Sequence, residues 1–435
     1  MPRPRPLLAP FTAALLTIGA ARASAAQRPV TRADAERAAL SAGPRVALAR
    51  ADSALARANL ITARALPNPT LNATHSGAPP QKHLVFDVPF DAPWQRGPRI
   101  AAANAAGRSA RLRFLSERAA AALEVDTTYT TALGAQARFR LSRQTARDAD
   151  SLRKMTVARR NAGDASDLDV DLATVAAGQQ ANVAATDSLT YMSALLTVQT
   201  LMGIPADGPA ILLVDTLRLG PTETRQLLEQ TDSAVVLAVA PTPGSLASPS
   251  LTGDAMGTTA SVAAAEANLQ ASELAIARER RSVFGITSFQ VGVEWGDPTI
   301  DPPDNEKLWL LGVSIPIPLF NQNQGAIAQA TAERDRARAE LANLRLETRQ
   351  RIVESYRELA SLRARVARDQ DLVVRAERVA AKSLTAYREG ASALPAVLEA
   401  RRTAREVLGQ YIDDLTALLT LQSELRVLTQ TVPSP

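Results

Sequence analysis

Three stretches alternate apolar and polar residues with the period of a strand. In residues 307–317, Trp309, Leu311, Val313, Ile315 and Ile317 share one face, and Leu308, Leu310, Gly312, Ser314 and Pro316 the other. In residues 83–90, Leu84, Phe86, Val88 and Phe90 oppose His83, Val85, Asp87 and Pro89. Residues 284–295 give the cleanest case, with Thr287, Phe289, Val291, Val293 and Trp295 on the apolar side. Residues 70–76 pair with 83–90 across Gly77-Ala78-Pro79-Pro80 as one predicted hairpin, and residues 296–306 close a second. After each hairpin the period becomes helical. Residues 98–162 and 325–389 run without a stop signal, and the first would extend about 97 Å at ~1.5 Å per residue. Gly163 and Gly390 are the stops. Ser166, with Asp169 three residues on, forms a capping-box pattern for a returning helix, and Ser392 is placed to cap the other.

The two halves superpose in sequence. A shift of 227 positions carries Pro89 onto Pro316, Ile100 onto Ile327, Gly163 onto Gly390 and Val170 onto Val397. The chain is therefore a tandem duplication. The expected divisions are a signal peptide at 1–25, helices at 26–66, a β-hairpin at 67–97 and a helical hairpin at 98–203. A connecting segment at 204–258 follows, then a helix at 259–283, a β-hairpin at 284–320, a helical hairpin at 321–429 and a disordered tail at 430–435. Within the connecting segment, residues 222–240 read as helix and 241–257, rich in Pro, Ser, Gly and Thr, as linker.

Composition narrows this further. Aromatic residues are 4% of the 435, too few to fill a large compact core, whereas Ala, Arg, Glu and Leu suit long helices. Cysteine is absent, which excludes disulfides, thiolate metal sites and lipid attachment at a cysteine. Arg3 and Arg5, an apolar run at 7–20 and Ala23-Ser24-Ala25 read as a cleavable leader. Losing Arg3, Arg5 and Arg22 with it narrows the basic excess from five to two, which gives no reason to expect nucleic acid. No Gly-rich phosphate loop, G-x-S-x-G or H-E-x-x-H occurs, so no enzyme, cofactor or metal is expected. His75 and His83 read as solvated ends of the first hairpin loop.

The expected strands have the length of tilted membrane strands and one apolar face. The lipid-facing set is Leu84, Phe86, Val88, Phe90, Phe289, Val291, Val293, Trp295, Trp309, Leu311, Val313 and Ile315. Trp94 joins Trp295 and Trp309 as interface anchors. Lipid tolerates no open sheet edge, and four strands cannot close a barrel, so several copies must contribute to one. A periplasmic adaptor or a coiled-coil filament is the alternative reading. An adaptor would carry one helical hairpin rather than two, and a filament would need no apolar strand face.

The chain resembles the TolC-type outer-membrane efflux proteins of Gram-negative bacteria. The resemblance is carried by Pro67-Asn68-Pro69-Thr70-Leu71, by Ile315-Pro316-Ile317-Pro318-Leu319-Phe320, and by the segments from Ala162-Gly163 to Asp169-Val170 and from Tyr387 to Ala400. It implies a mainly α fold with a small membrane β part: long antiparallel helical hairpins in a trimeric α-barrel beneath a 12-stranded β-barrel. Its implied partners are two further copies, a periplasmic adaptor, an inner-membrane RND or ABC transporter and outer-membrane lipid. The missing lipidation cysteine and short loops look like the heavy-metal efflux, CzcC-like branch. The resemblance places the gate and adaptor-docking site at Gly163, Asp164, Ser166, Asp167, Asp169, Gly390, Ser392 and Glu399. Threefold repetition of inward-facing acids there would give rings attractive to cations.

Overall fold

The computed structural model describes residues 28–78, 81–217, 259–295 and 307–429. The leader, Pro79-Pro80, the helix and linker expected between 222 and 257, the second hairpin loop and the tail lie outside the described residues. In chain order the elements are β1 (Arg28–Val30), α1 (Arg32–Ala42), α2 (Pro44–Arg64), β2 (Thr70–His75), β3 (Lys82–Phe90), α3 (Pro93–Asn161), α4 (Asp167–Leu201) and β4 (Ile211–Leu213). Then come α5 (Ala260–Arg281), β5 (Thr287–Trp295), β6 (Leu308–Ser314), α6 (Gln324–Arg388) and α7 (Leu394–Thr429).

Two rods dominate. α3 has 69 residues and α6 has 65, each about 100 Å at ~1.5 Å per residue. Near the sheet the helices lie side by side in the order α2, α3, α5, α6. Farther away the order is α4, α3, α7, α6. The molecule is thus a wall one helix thick, and its core is a series of seams. Small buried residues set the spacing: Ala102, Ala105, Ser109, Ala121 and Ala132 along α3. At Gly134 an added Cβ would lie 2.4 Å from Thr416 Oγ1, so α3 and α7 approach as closely as they do because no side chain stands there. Ion pairs cross the seams, among them Arg45 to Glu117 (2.6 Å) and Glu124 (3.0 Å), Arg345 to Glu266 (2.7 Å) and Arg351 to Glu424 (2.5 Å). Exposed pairs of this kind add little stability each and mainly fix the sliding register of neighbouring rods.

α3 starts five residues before the expected position 98. Ala92 is extended and Pro93 takes the favoured first helical position. Pro98, with no N–H to give the Trp94 carbonyl, is carried inside the helix. Trp94 therefore opens a helix rather than ending a strand.

The largest core cluster lies midway along the wall, and half of its framework was not anticipated. β1 pairs in parallel with β4, Val30 opposite Leu213. Tyr129 is fully buried beneath this pair, with Val125, Val198, Met202 and Ile211. Its hydroxyl lies 2.9 Å from the Val30 carbonyl oxygen and 2.8 Å from Asp215 Oδ2. Asp215 also accepts from the Arg32 N–H at 2.8 Å. Burial, then the neighbouring Asp215 carboxylate, pushes the Tyr129 phenol well above its usual range, so it stays a neutral donor. One phenol thus ties both ends of the first repeat to its long helix.

Tyr129→Phe leaves the packing but removes the hydroxyl donor, so that Asp215 keeps only the Arg32 N–H and the Val30 carbonyl only the Val214 N–H. It is expected to cost about 1–3 kcal/mol, read as a lower urea midpoint at unchanged slope by circular dichroism.

Candidate functional site: the apolar sheet and the helical tips

The duplicated hairpins meet in one four-stranded antiparallel sheet of order β2-β3-β5-β6. The register aligns Leu84 with Val293, Phe86 with Val291 and Val88 with Phe289. It also aligns Val293 with Trp309, Val291 with Leu311 and Phe289 with Val313. Directly opposed residues share a face, so these side chains, with Leu71 and Ala73 of β2, form one continuous apolar surface. It is open to the surroundings: Phe86 is 43% exposed, Phe289 46%, Trp309 75% and Leu311 78%. Phe90 stands edge-on to Phe289 at 5.8 Å and to Trp94 at 6.4 Å, at the helix-side margin. Trp295 ends β5 opposite Lys82, at the loop-side margin. Ile315 falls outside this set, because β6 ends at Ser314: Pro316 supplies no N–H with which to continue the ladder.

The opposite face gathers His83, Asp87, Gln290 and Glu294 among Val85, Leu308 and Leu310 and, along β3, is less accessible, as on the inside of a curved ribbon. His83 is not a solvated loop residue: its Nδ1 lies 2.9 Å from Glu294 Oε1 across the β3–β5 pair. Two rungs along the same face, beyond Val85 and Gly292, Gln290 Nε2 donates to Asp87 Oδ2 at 3.3 Å. His83, which the alternation placed on the polar side, acquires its partner from the other half of the duplication.

The tips lie at the other end of the rods. Gly163 and Gly390 both adopt positive φ, 87° and 77°, and each completes the same helix-ending motif. Asp164 N–H returns to the Arg159 carbonyl at 2.8 Å, and Ala391 N–H to the Ala386 carbonyl at 2.8 Å. Ser166 caps α4 and exchanges hydrogen bonds with Asp169, whose N–H reaches Ser166 Oγ at 3.1 Å. Asp167 pairs with Arg160 at 3.2 Å. Ser392 does not cap α7. That helix begins at Leu394, so the adjoining position belongs to Ala393, which has no hydroxyl.

The two tips are packed together. Tyr387, Leu394 and Val397 of the second hairpin are buried against Leu152 and Ala173 of the first. Arg159 lies over the Tyr387 ring, 4.7 Å from its centroid, and also donates to the Tyr387 carbonyl. The Tyr387 hydroxyl meets Thr156 Oγ1 at 3.3 Å. Glu399 is exposed on a groove of about 340 Å³ between α4 and α7, which also holds Arg401, Arg402 and Arg405. The Arg402 guanidinium is held above its usual range by its hydrogen bond to Glu406, with Glu399 adding to that field. Arg402 pairs with Glu406 at 3.0 Å and not with Glu399.

The family model for the outer membrane efflux protein matches residues 251–430. That match covers the second of the two repeats, where the chain is similar to the outer membrane efflux proteins. No curated protein sequence matches it. Solved structures do. The Campylobacter jejuni CmeC outer membrane channel superposes with a TM-score of 0.73 at 12% identity, over 92% of this chain and 85% of that one. The Vibrio cholerae outer membrane protein VceC gives 0.68 at 16%, over 92% and 96%. The open-state Neisseria gonorrhoeae MtrE outer membrane channel gives 0.65 at 15%, over 92% and 88%. At such low identity these likenesses establish the fold alone.

Sequence reasoning missed Arg159, Thr156 and Tyr387 as the joint between the tips. Both turns were legible as glycine stops, but nothing in either hairpin states which residue of the other it meets. Arg159→Gln is expected to weaken this joint by about 1–3 kcal/mol. The measurement is amide hydrogen exchange over residues 384–397, which should quicken while exchange around Tyr129 stays unchanged.

Proposed function

We propose that three copies of this chain form a passive exit duct through the outer membrane, the channel of a tripartite efflux pump or a type I secretion system. The observation that carries this reading is a sheet with one apolar face and two unpaired edges, β2 and β6. In lipid an unsatisfied backbone group costs several kcal/mol, so an edge must find a partner. β2 and β6 run in opposite directions. The β6 edge of one copy can therefore meet the β2 edge of the next in antiparallel sense. Three copies give the 12 strands of a barrel whose lumen is the polar face of Asp87, Gln290, His83 and Glu294.

The helical wall supports the same ring. Its outermost helices in the tip half, α4 and α6, are opposite in charge. α4 carries four Asp and no Lys or Arg, whereas α6 carries fourteen Lys and Arg against nine acids. α4 also presents Leu168 and Val175, and beyond the polar Asn182 Leu189 and Leu196, on one heptad line, the four apolar residues all exposed. α6 presents Leu372 and Val379, again seven apart and exposed. Such stripes are seams of an interhelical coiled coil. Closing α4 of one copy onto α6 of the next covers both and joins unlike charges.

In this reading substrate enters at the Gly163 and Gly390 turns and leaves through the barrel, driven by an inner-membrane transporter of the RND or ABC class. A periplasmic adaptor engages the tips, including Asp164, Asp167 and Ser392, and opens them. Arg159 and Tyr387 hold the tip closed until then. Glu399 lies on the exposed groove beside Arg401, Arg402 and Arg405, so a cation ring there would carry basic neighbours as well. The absent lipidation cysteine favours the heavy-metal branch. The adaptor and filament alternatives leave the apolar sheet face without an environment.

Charge-signed substitution tests the ring. Leu189→Arg sets a cation against α6 and is expected to reduce trimer in detergent at least ~10-fold, equivalent to ~1.4 kcal/mol. Leu189→Glu should reduce it much less. Native mass spectrometry reads both, and a wild-type monomer would overturn the assembly. In planar bilayers, Arg159→Gln should raise the open fraction of the channel, and an unchanged fraction would remove the tip joint from the gate.

A further inference from the structure

Below the sheet the chain crosses from β6 to α6 through residues 315–323, which are neither strand nor helix. This short ribbon holds some of the most exposed apolar side chains of the described structure. Ile315 is 62% exposed, Ile317 74%, Leu319 73% and Phe320 94%. Phe284 and Ile286, at 57% and 58%, enter β5 beside it, where Gly285 lies against Pro316. The step of two that puts Trp309, Leu311 and Val313 on the apolar face continues through Ile315, Ile317 and Leu319. The apolar surface thus outlasts the hydrogen-bonded strand.

It ends abruptly. Phe320 is followed by Asn321, Gln322, Asn323 and Gln324. Asn323, in the left-handed conformation at φ 61°, is tied down by donating to the Glu279 carbonyl at 2.9 Å and to Ser282 Oγ at 2.9 Å. The corresponding stretch of the first repeat behaves differently. There Asp91 turns inward to Arg99 at 2.7 Å, with its side chain only 5% exposed, and the helix begins at Pro93. The apolar ribbon belongs to the second repeat alone.

We propose that residues 315–320 enter the periplasmic leaflet of the outer membrane, as a shallow collar that sets how deep the sheet sits. The occupant is lipid rather than a second copy, because the ribbon continues a face that already meets lipid and stops where amide side chains begin. Irregular backbone is normally kept out of lipid by its unpaired N–H groups. Here Pro316 and Pro318 have none, and the Leu319 N–H donates to the Ile317 carbonyl at 2.9 Å. Three of the six residues thus bring no free donor, which suits the acyl–headgroup boundary rather than the bilayer centre. This rests on the lipid-facing reading of the sheet and not on the number of copies.

The chain has no cysteine, so single reporters can be placed cleanly. Full-length Leu319→Cys, Phe320→Cys, Val291→Cys and Arg336→Cys variants, each carrying a small thiol fluorophore, are reconstituted in vesicles of phosphatidylethanolamine and phosphatidylglycerol. Quenching by acyl chains brominated near the headgroup is compared with quenching by aqueous iodide. The collar predicts bromolipid quenching at Leu319 and Phe320 within about twofold of that at Val291, and iodide quenching at least about threefold below that at Arg336. Iodide quenching equal to that at Arg336, or shielding from both quenchers by a neighbouring copy, overturns the collar while Val291 still reports lipid. Failure of Val291 itself to sense bromolipid overturns the lipid-facing sheet and the collar with it.

Discussion

Backbone hydrogen bonding in a medium without water is the constraint on which this structure depends. The four strands satisfy one another within the sheet, yet β2 and β6 each keep one edge unpaired, and in the lipid environment proposed for the apolar face no water is there as a substitute partner. On the assembly proposed above, the same residues that make the sheet membrane-compatible make a lone copy incomplete. A soluble sheet could blunt its edges with charge or cover them with a helix. Here the edges are kept regular, and the antiparallel order leaves them matched in direction.

The rods follow from a second constraint, length. A wall one helix thick cannot build a central core, so burial is spread along seams of Ala, Ser, Thr and a single close approach at Gly134. Such seams would slide if they were only smooth. Ion pairs such as Arg45 with Glu117 and Arg351 with Glu424 supply registration more than energy. The cluster around Tyr129, β1 and β4 is the one place where strands, helices and a buried hydroxyl lock together, and it sits midway, where a long lever needs a fixed point.

At the far end the physics changes again. Two glycine turns end the rods by the same backbone motif, but the joint between them rests on one stacked guanidinium, one carbonyl and one phenol. A joint made of a few polar contacts over a small apolar patch opens more readily than the seams above it.

Much of this was legible in the chain. The alternation of Phe289, Val291 and Val293, the 227-residue repeat, and the glycine stops at 163 and 390 determined the strands, the duplication and the hairpins, because period and backbone freedom are local properties. Boundaries at proline were less legible: Pro98 is carried inside a helix and Pro316 ends a strand early, since whether a missing N–H matters depends on who would have received it. Only the tertiary structure decided that His83 meets Glu294, that Arg159 stacks on Tyr387, and that β1, absent from the expected elements, pairs with β4. Those pairings join residues 183 to 228 positions apart; a sequence states the donors and acceptors, and three-dimensional proximity chooses among them.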